Sequence, residues 1–282
     1  MSEQTPIAEV RHTWEAAATG YAKWDATLAA GLDEITQTML NMAGISKDMR
    51  VLDLACGTGS QTLATAERVG SGGLVVANDI SETMLEVTRD RVSGTGLKNV
   101  ETLCCAAEDL PPMAQSFDAA ICRLGLMLFP EPESALSAVN QALKPMARLA
   151  ALVFSTPAAN PFMAEPMEIL LRHAGKQSSA PGAPGIFALG APGQFAHLMR
   201  STGYSDIETR IVRAPLHVAS AQLALEMMRQ AFGAYRAVIV DLDEGARAAA
   251  WAEVGDCLEQ WDGRNGFRAE REFVIAAGAQ SG

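Results

Sequence analysis

Cysteine is sparse in this 282-residue chain and cannot be paired off. The five residues, at 56, 104, 105, 122 and 257, include no C-x-x-C pair and no histidine at zinc-site spacing. That pattern excludes a disulfide framework and a structural zinc site, and leaves reduced, mostly buried thiols with no metal expected. Long apolar runs are missing too: no stretch of about eighteen apolar residues offers a membrane span. The start, MSEQTPIAEVRHTW, lacks the basic patch and apolar stretch of a secretory signal. A cytoplasmic protein with no membrane partner is the expectation. Clusters of Lys and Arg are likewise absent. With 22 Lys and Arg against 33 Asp and Glu, the net charge is -11, a field that repels polyanions. No nucleic-acid partner is expected, a small-molecule substrate leads, and an oligomer is neither indicated nor excluded.

What the chain does have is an ordinary globular composition and a regular alternation of patterns. Its length suits one main domain carrying an elaboration. Residues 8 to 43 read as helical, broken around Gly20 and Gly31, and form an N-terminal arm over 1–45. From 51 onward short apolar runs alternate with amphipathic stretches. VLDLA, LVVAND, ETLCCA, FDAAICR and ARLAALVFS read as strands, with helices near 60–69, 82–93 and 132–143. Strands alternating with helices imply an α/β, Rossmann-like, doubly wound and mostly parallel sheet, the core being 46–156. A lid or substrate segment over 157–192 contains a helix at 162–174 and the loop GKQSSAPGAPG. Residues 193–282 supply a further helix and the final strands, 206–213 and REFVIAAGA, with a helical cap insertion near 219–261.

The chemistry concentrates at VLDLACGTG, Val51 to Gly59. A strand running into Ala55-Cys56-Gly57-Thr58-Gly59 just before a helix puts backbone N–H groups and a helix N-terminus at the carboxyl edge of the sheet, where such folds bind ligands. Gly57 and Gly59 permit close approach and the φ values of a tight turn. Asp53 precedes the loop, and a second strand ends in Asp79. A nicotinamide or flavin dinucleotide site would carry a third glycine where Thr62 stands. The carboxylate of Asp53 also suits an ammonium or hydroxyl better than a phosphate. A cofactor with ribose, adenine and an amino acid fits better. The structural alternatives are that Asp53 caps the turn and Asp79 is the N-cap of the helix at 82.

Four motifs in order carry a family resemblance: VLDLACGTG, VVANDIS, AAEDLP and SFDAAICRLGLMLFPEPESAL. The chain resembles class I S-adenosylmethionine-dependent methyltransferases, on the branch similar to ubiquinone/menaquinone-biosynthesis C-methyltransferases. The resemblance implies S-adenosyl-L-methionine as cofactor, with S-adenosyl-L-homocysteine as product. It places the Gly57–Gly59 loop at the methionine portion, Asp53 near the amino group, Asp79 on the ribose hydroxyls and Met84 along the adenine, with Ala55, Ile80 and Cys122 also among the cofactor residues. Tyr21 and Trp24, in GYAKW, resemble an arm motif covering the methionine end. Where the family often has an Asp beside the adenine amino group this chain has Ala106, so the backbone around Ala107 and the carboxylate of Glu108 are the expected substitutes. A second departure is Lys144-Pro145-Met146-Ala147-Arg148, where the family usually has two glycines; an altered turn without functional loss is expected there.

The acceptor is less defined. Methyl transfer from a sulfonium needs alignment and exclusion of water more than a base. If a base acts, the histidines at 12, 173, 197 and 217 are the suspects at neutral pH. His12, on the arm, and His173, ending the helix that overhangs the pocket, rank first. The fourth strand ends in Cys122-Arg123-Leu124-Gly125 rather than the Asn-Pro-Pro-Tyr of amino-group methylation, and Leu124 and Leu126–Phe129 are mostly apolar. The expected activity is therefore C- or O-methylation of a small apolar or aromatic metabolite. The alternative is a methyltransferase-like protein that binds the cofactor without turnover.

Overall fold

The computed structural model of the protein describes residues 6–177 and 184–281. Most of the loop GKQSSAPGAPG, at 178–183, lies outside the described residues, and so does any role for it as a lid. The chain opens with α1 (Pro6–Ala29) and α2 (Asp33–Met42). The alternating unit follows: β1 (Arg50–Leu54), α3 (Ser60–Val69), β2 (Leu74–Asp79), α4 (Glu82–Thr95), β3 (Val100–Cys104), β4 (Phe117–Arg123), α5 (Pro132–Ala142) and β5 (Leu143–Phe154). Then come α6 (Pro161–His173), α7 (Gln194–Ser201), β6 (Tyr204–Arg213), β7 (Leu216–Val218), α8 (Ala221–Ala231), α9 (Gly233–Val238), α10 (Glu244–Leu258), β8 (Asp262–Gly263), β9 (Gly266–Ala269) and β10 (Glu272–Gln280).

The seven-stranded sheet has the order β3-β2-β1-β4-β5-β10-β6. All pairs from β3 to β5 are parallel, and β10 runs antiparallel between β5 and β6. The Val, Leu, Ile and Ala runs of β1, β4 and β5 are buried, as strands covered on both faces require. The strand order reverses between β1 and β4, and at that switch point the carboxyl ends leave a crevice for ligands.

Three features differ from what the sequence implies. α1 runs unbroken through Gly20: a Cβ there would lie 2.0 Å from the Gln230 carbonyl oxygen. That glycine serves close packing of α1 on α8 and does not break the helix; the break comes at Gly31, with φ 78°. The region 219–261 is helical as expected, started by N-caps at Ser220 and Asp243. A small sheet in the order β7-β9-β8 frames it, which the sequence does not announce. Lys144–Arg148 forms no separate turn but an irregular start to β5, with Met146 at φ 65°.

Candidate active site

The loop after β1 is shaped by its neighbours. The Gly57 N–H donates to Asp79 Oδ2 at 2.8 Å, and the Ser81 N–H donates to Asp79 Oδ1 at 2.9 Å. One carboxylate thus ties the glycine loop to the end of β2. Ser81 is the N-cap of α4, its hydroxyl accepting from the Met84 N–H at 3.1 Å, so Asp79 does not fill that role. Nothing lies within 4 Å of a Cβ built on Gly57, which faces open space, whereas one on Gly59 (φ 84°) would meet Thr88 Cγ2 at 2.8 Å. The first glycine leaves room for a ligand and the second for α4. A Cβ on Gly125 would come within 2.4 Å of that of Ala55, and Ala55 and Leu124 both hold positive φ, 48° and 63°. Left-handed backbone at non-glycine residues on both sides of one cleft is strain of the kind found at ligand sites.

Asp53 sits beneath this loop, 0% exposed. Its oxygens accept from Thr62 Oγ1 at 2.6 Å and Gln61 Nε2 at 3.2 Å, and Gln61 also donates to the Cys56 carbonyl at 3.3 Å. Thr62, whose side chain marks the missing third glycine, anchors the first turn of α3. Burial pushes the Asp53 carboxyl up to about 7, against the hydrogen bonds from Thr62 and Gln61. Asp79 is pushed up to about 6 for the same reason, against the N–H groups of Ser81 and Gly57.

A cleft opens above the loop. Of the residues singled out in the sequence, Tyr21, Ala55, Gly57, Asp79, Ile80, Met84, Ala107 and Glu108 line it together. Glu108 is half-buried, which raises its carboxyl, and accepts from the Glu131 N–H at 3.4 Å. Four of the others stand behind the walls or away from them. Gly59 packs on Thr88, and Asp53 holds α3. Cys122 is buried in β4 with its thiol pushed up to about 12. Trp24 donates its indole N–H to Gln230 Oε1 at 2.8 Å, inside the contact between α1 and α8.

The two histidines are not brought to the site. His12 is exposed on α1. His173, at the end of α6, meets α10 instead, its Nε2 2.8 Å from Glu253 Oε2. Among the described residues no histidine lines the cleft or the cavities next to it.

The cleft also takes Val10, Trp14, Cys105, Arg123, Leu124, Leu128 and Phe129, which were not singled out as cofactor residues. For Trp14 a signal existed. Trp14 and Tyr21 are seven apart, so they share one face of α1, and their rings meet edge to face with centroids 6.2 Å apart. Trp24 falls roughly 60° off that face at 3.6 residues per turn. The arm is latched to the loop by Asp25, which accepts from Thr58 Oγ1 at 2.5 Å and Arg91 Nη1 at 2.6 Å. Two cavities adjoin the cleft at Trp14 and Leu128. One, about 630 Å³, lies between α1, α6, α9 and residues 184–194. The other, about 110 Å³, reaches inward past Tyr21 toward Arg271.

The ubiE/COQ5 methyltransferase family model matches residues 2–173. The chain is 37% identical over 150 residues to the ubiquinone/menaquinone biosynthesis C-methyltransferase UbiE of Bordetella parapertussis, covering 53% of this chain and 57% of that protein. The chain thus spans somewhat over half the length of that curated relative. Among solved structures, phosphoethanolamine N-methyltransferase 2 of Haemonchus contortus, in complex with phosphomonomethylethanolamine and S-adenosylhomocysteine, matches with a TM-score of 0.63 at 15% identity, covering 100% of this chain and 62% of that one. The [4+2]-cyclase SpnF matches with a TM-score of 0.56 at 18% identity, covering 95% of this chain and 97% of that one. One fold thus serves an N-methyltransferase and a cyclase, and these two likenesses speak to fold alone.

Proposed function

This chain belongs to the ubiE/COQ5 methyltransferase family, and on that premise we propose that it transfers the methyl group of S-adenosylmethionine to carbon or oxygen of a small apolar or aromatic metabolite. The observation that carries the reading is adjacency. The cleft over Gly57 and Asp79 shares the walls of Val10, Trp14 and Leu128 with the 630 Å³ cavity, which is also lined by Met167, Leu171, Ile186 and Phe187. A space of that size and lining takes an aromatic or prenyl-like molecule. The relative's name places its substrate in ubiquinone and menaquinone biosynthesis, and a quinone-like acceptor is one member of the class this cavity admits.

The cofactor supplies a methyl group on a positively charged sulfur, so the chain needs to bind, align and exclude water. Asp79, already fixed by two N–H donors, would accept the ribose hydroxyls. Ala55 and Gly57 would border the methionine portion, Ile80 and Met84 the adenine, and Ala107 with Glu108 the adenine edge that Ala106 leaves without an acid. Asp53 acts at one remove, holding α3 and through it the loop. Trp14 and Tyr21 close the cleft from the arm, where their rings keep water from the reacting atoms.

Calorimetry with S-adenosylhomocysteine tests the cofactor half of this reading. Wild-type protein is expected to bind it, and Asp79→Asn to bind it at least about tenfold more weakly, a charge-assisted hydrogen bond being worth about 1.5–3 kcal/mol. Equal affinity in the two would remove Asp79 from the site. A screen of phenols, quinols and enolisable carbonyls with labelled methyl donor tests the rest. Tight binding of the cofactor with transfer to none of them would favour a protein that binds without turnover.

A further inference from the structure

The inner cavity is positively charged in a chain whose net charge is -11. Two guanidinium groups line it, and neither has a carboxylate partner among the described residues. Arg271, 4% exposed, donates from Nε to the Ala214 carbonyl at 3.2 Å. Its Nη atoms donate to the carbonyls of Leu28, Ala30 and Pro215, each at 3.3 Å. Arg123, half-buried at the end of β4, donates to the Thr36 hydroxyl at 3.1 Å and to the Ser60 hydroxyl. Asp25, the one carboxylate on the wall among the described residues, is already engaged by Thr58 and Arg91. Carbonyl dipoles fix a buried guanidinium but do not neutralise it, and a buried charge without a counter-ion is costly. Burial, with Arg123 nearby, lowers Arg271 only to about 10, so it stays charged at neutral pH. Tyr21 lines the same space, and its hydroxyl has no hydrogen-bond partner among the described residues.

The two cations are not equivalent. Arg123 lines both the cofactor cleft and the inner cavity, whereas Arg271 lines the inner cavity and not the cleft. We propose that the inner cavity is a carboxylate subsite: Arg271 holds an acidic group of the methyl acceptor, and Arg123 stands between that group and the methionine end of the cofactor. The proposal rests on the cleft being the cofactor site. It narrows the acceptor from an apolar or aromatic metabolite to one that carries an acid group, the apolar body lying toward Trp14, Leu128 and the larger cavity. Four of the five N–H groups of Arg271 are taken by carbonyls, and the fifth, on Nη1, suits a single charge-assisted contact with a carboxylate.

Protein saturated with S-adenosylhomocysteine is titrated with benzoate and, separately, with benzamide, its neutral counterpart of the same shape. Benzoate is expected to bind at least tenfold tighter. Arg271→Met should erase that preference while leaving the affinity for S-adenosylhomocysteine within twofold, and Arg271→Lys should keep part of it. Equal affinity for the two probes, or no binding of either, overturns the proposal. A cofactor carboxylate in the subsite would show differently: Arg271→Met would weaken S-adenosylhomocysteine tenfold and spare 5′-methylthioadenosine, which lacks the amino-acid portion, and that result overturns the acceptor assignment. Should Arg271→Met fail to fold, the wild-type comparison still decides, and Arg123→Gln, expected to lower the benzoate preference, gives a second variant. Loss of S-adenosylhomocysteine binding in the wild type would instead strike at the cofactor site itself.

Discussion

Met146 is 62% exposed and held at φ 65° at the start of β5. A left-handed residue with a Cβ costs about 1–2 kcal/mol, and glycine in its place gives back part of that through its larger loss of backbone freedom. Since the side chain is mostly exposed, Met146→Gly is expected to stabilise the protein by about 0.5–1 kcal/mol, read as a rise of a few degrees or less in the thermal midpoint. Affinity for S-adenosylhomocysteine should not change; a fall in the midpoint would mean that the strain is not there to relieve. Ala55 and Leu124 share the unusual φ but border the cleft, where relief would alter the ligand's walls. At this scale, much of the site was legible. Asp79, Gly57 and Met84 stand at fixed offsets from the ends of β1 and β2, so a strand-turn-helix reading carries them to the cleft. Arg123 and Arg271 were not legible as a pair, because one ends β4, the other precedes β10, and only the sheet order brings them to one cavity. The histidines misled because titration near neutral pH says nothing of direction, and His173 points at Glu253.

Elements follow the same division. The strands of the core and helices α3 to α6 could be read because apolar strand runs alternate regularly with amphipathic helices; even β3, with no buried residue, keeps its place in that alternation. β7, β8 and β9 could not, being two to four residues long and defined by their pairing. Gly20 shows why a glycine inside a helical pattern is ambiguous: it can end a helix or let another come close, and only the neighbour decides. Here the neighbour is α8, also joined to α1 by Lys23 Nζ to Glu226 Oε1 at 2.8 Å. Gly20→Ala would drive a methyl into the Gln230 backbone, which cannot give way as a side chain would. A destabilisation of about 1–3 kcal/mol is expected. Because Trp14 and Tyr21 ride on α1, the affinity for S-adenosylhomocysteine should fall with it. Thr19→Ala, one residue away on the exposed face, serves as the control and should stay within about 0.5 kcal/mol of wild type. Denaturant unfolding and calorimetry on the two variants check this, and equal behaviour would mean that α1 does not depend on its contact with α8.

Across the whole molecule, the site's two buried acids should dominate how stability responds to pH near neutrality. Asp53 and Asp79 hold folded pKa values of about 7 and about 6, against about 3.9 in the unfolded chain. Between those limits the native state keeps protons that the unfolded state has released, so stability falls as pH rises. The contribution is fully present below the unfolded pKa and is lost through the folded one. The carboxyls shifted the other way, Glu15, Asp118, Glu226, Glu253 and Glu272, act only as pH falls through the range below their ordinary value. The cysteines raised by burial enter only above about pH 8.5. The thermal midpoint of the unliganded protein should therefore drop by a few degrees between pH 6 and pH 8, on the order of 1 kcal/mol. Asp53→Asn, which can still accept from Thr62, should flatten that slope. Under the proposed binding mode saturating S-adenosylhomocysteine should flatten it too, since ribose hydroxyls donating to Asp79 would favour its charged form. A midpoint that holds steady or rises from pH 6 to pH 8 would show that the native protein carries both acids ionised, with Arg123 close enough to outweigh the cost of burying them.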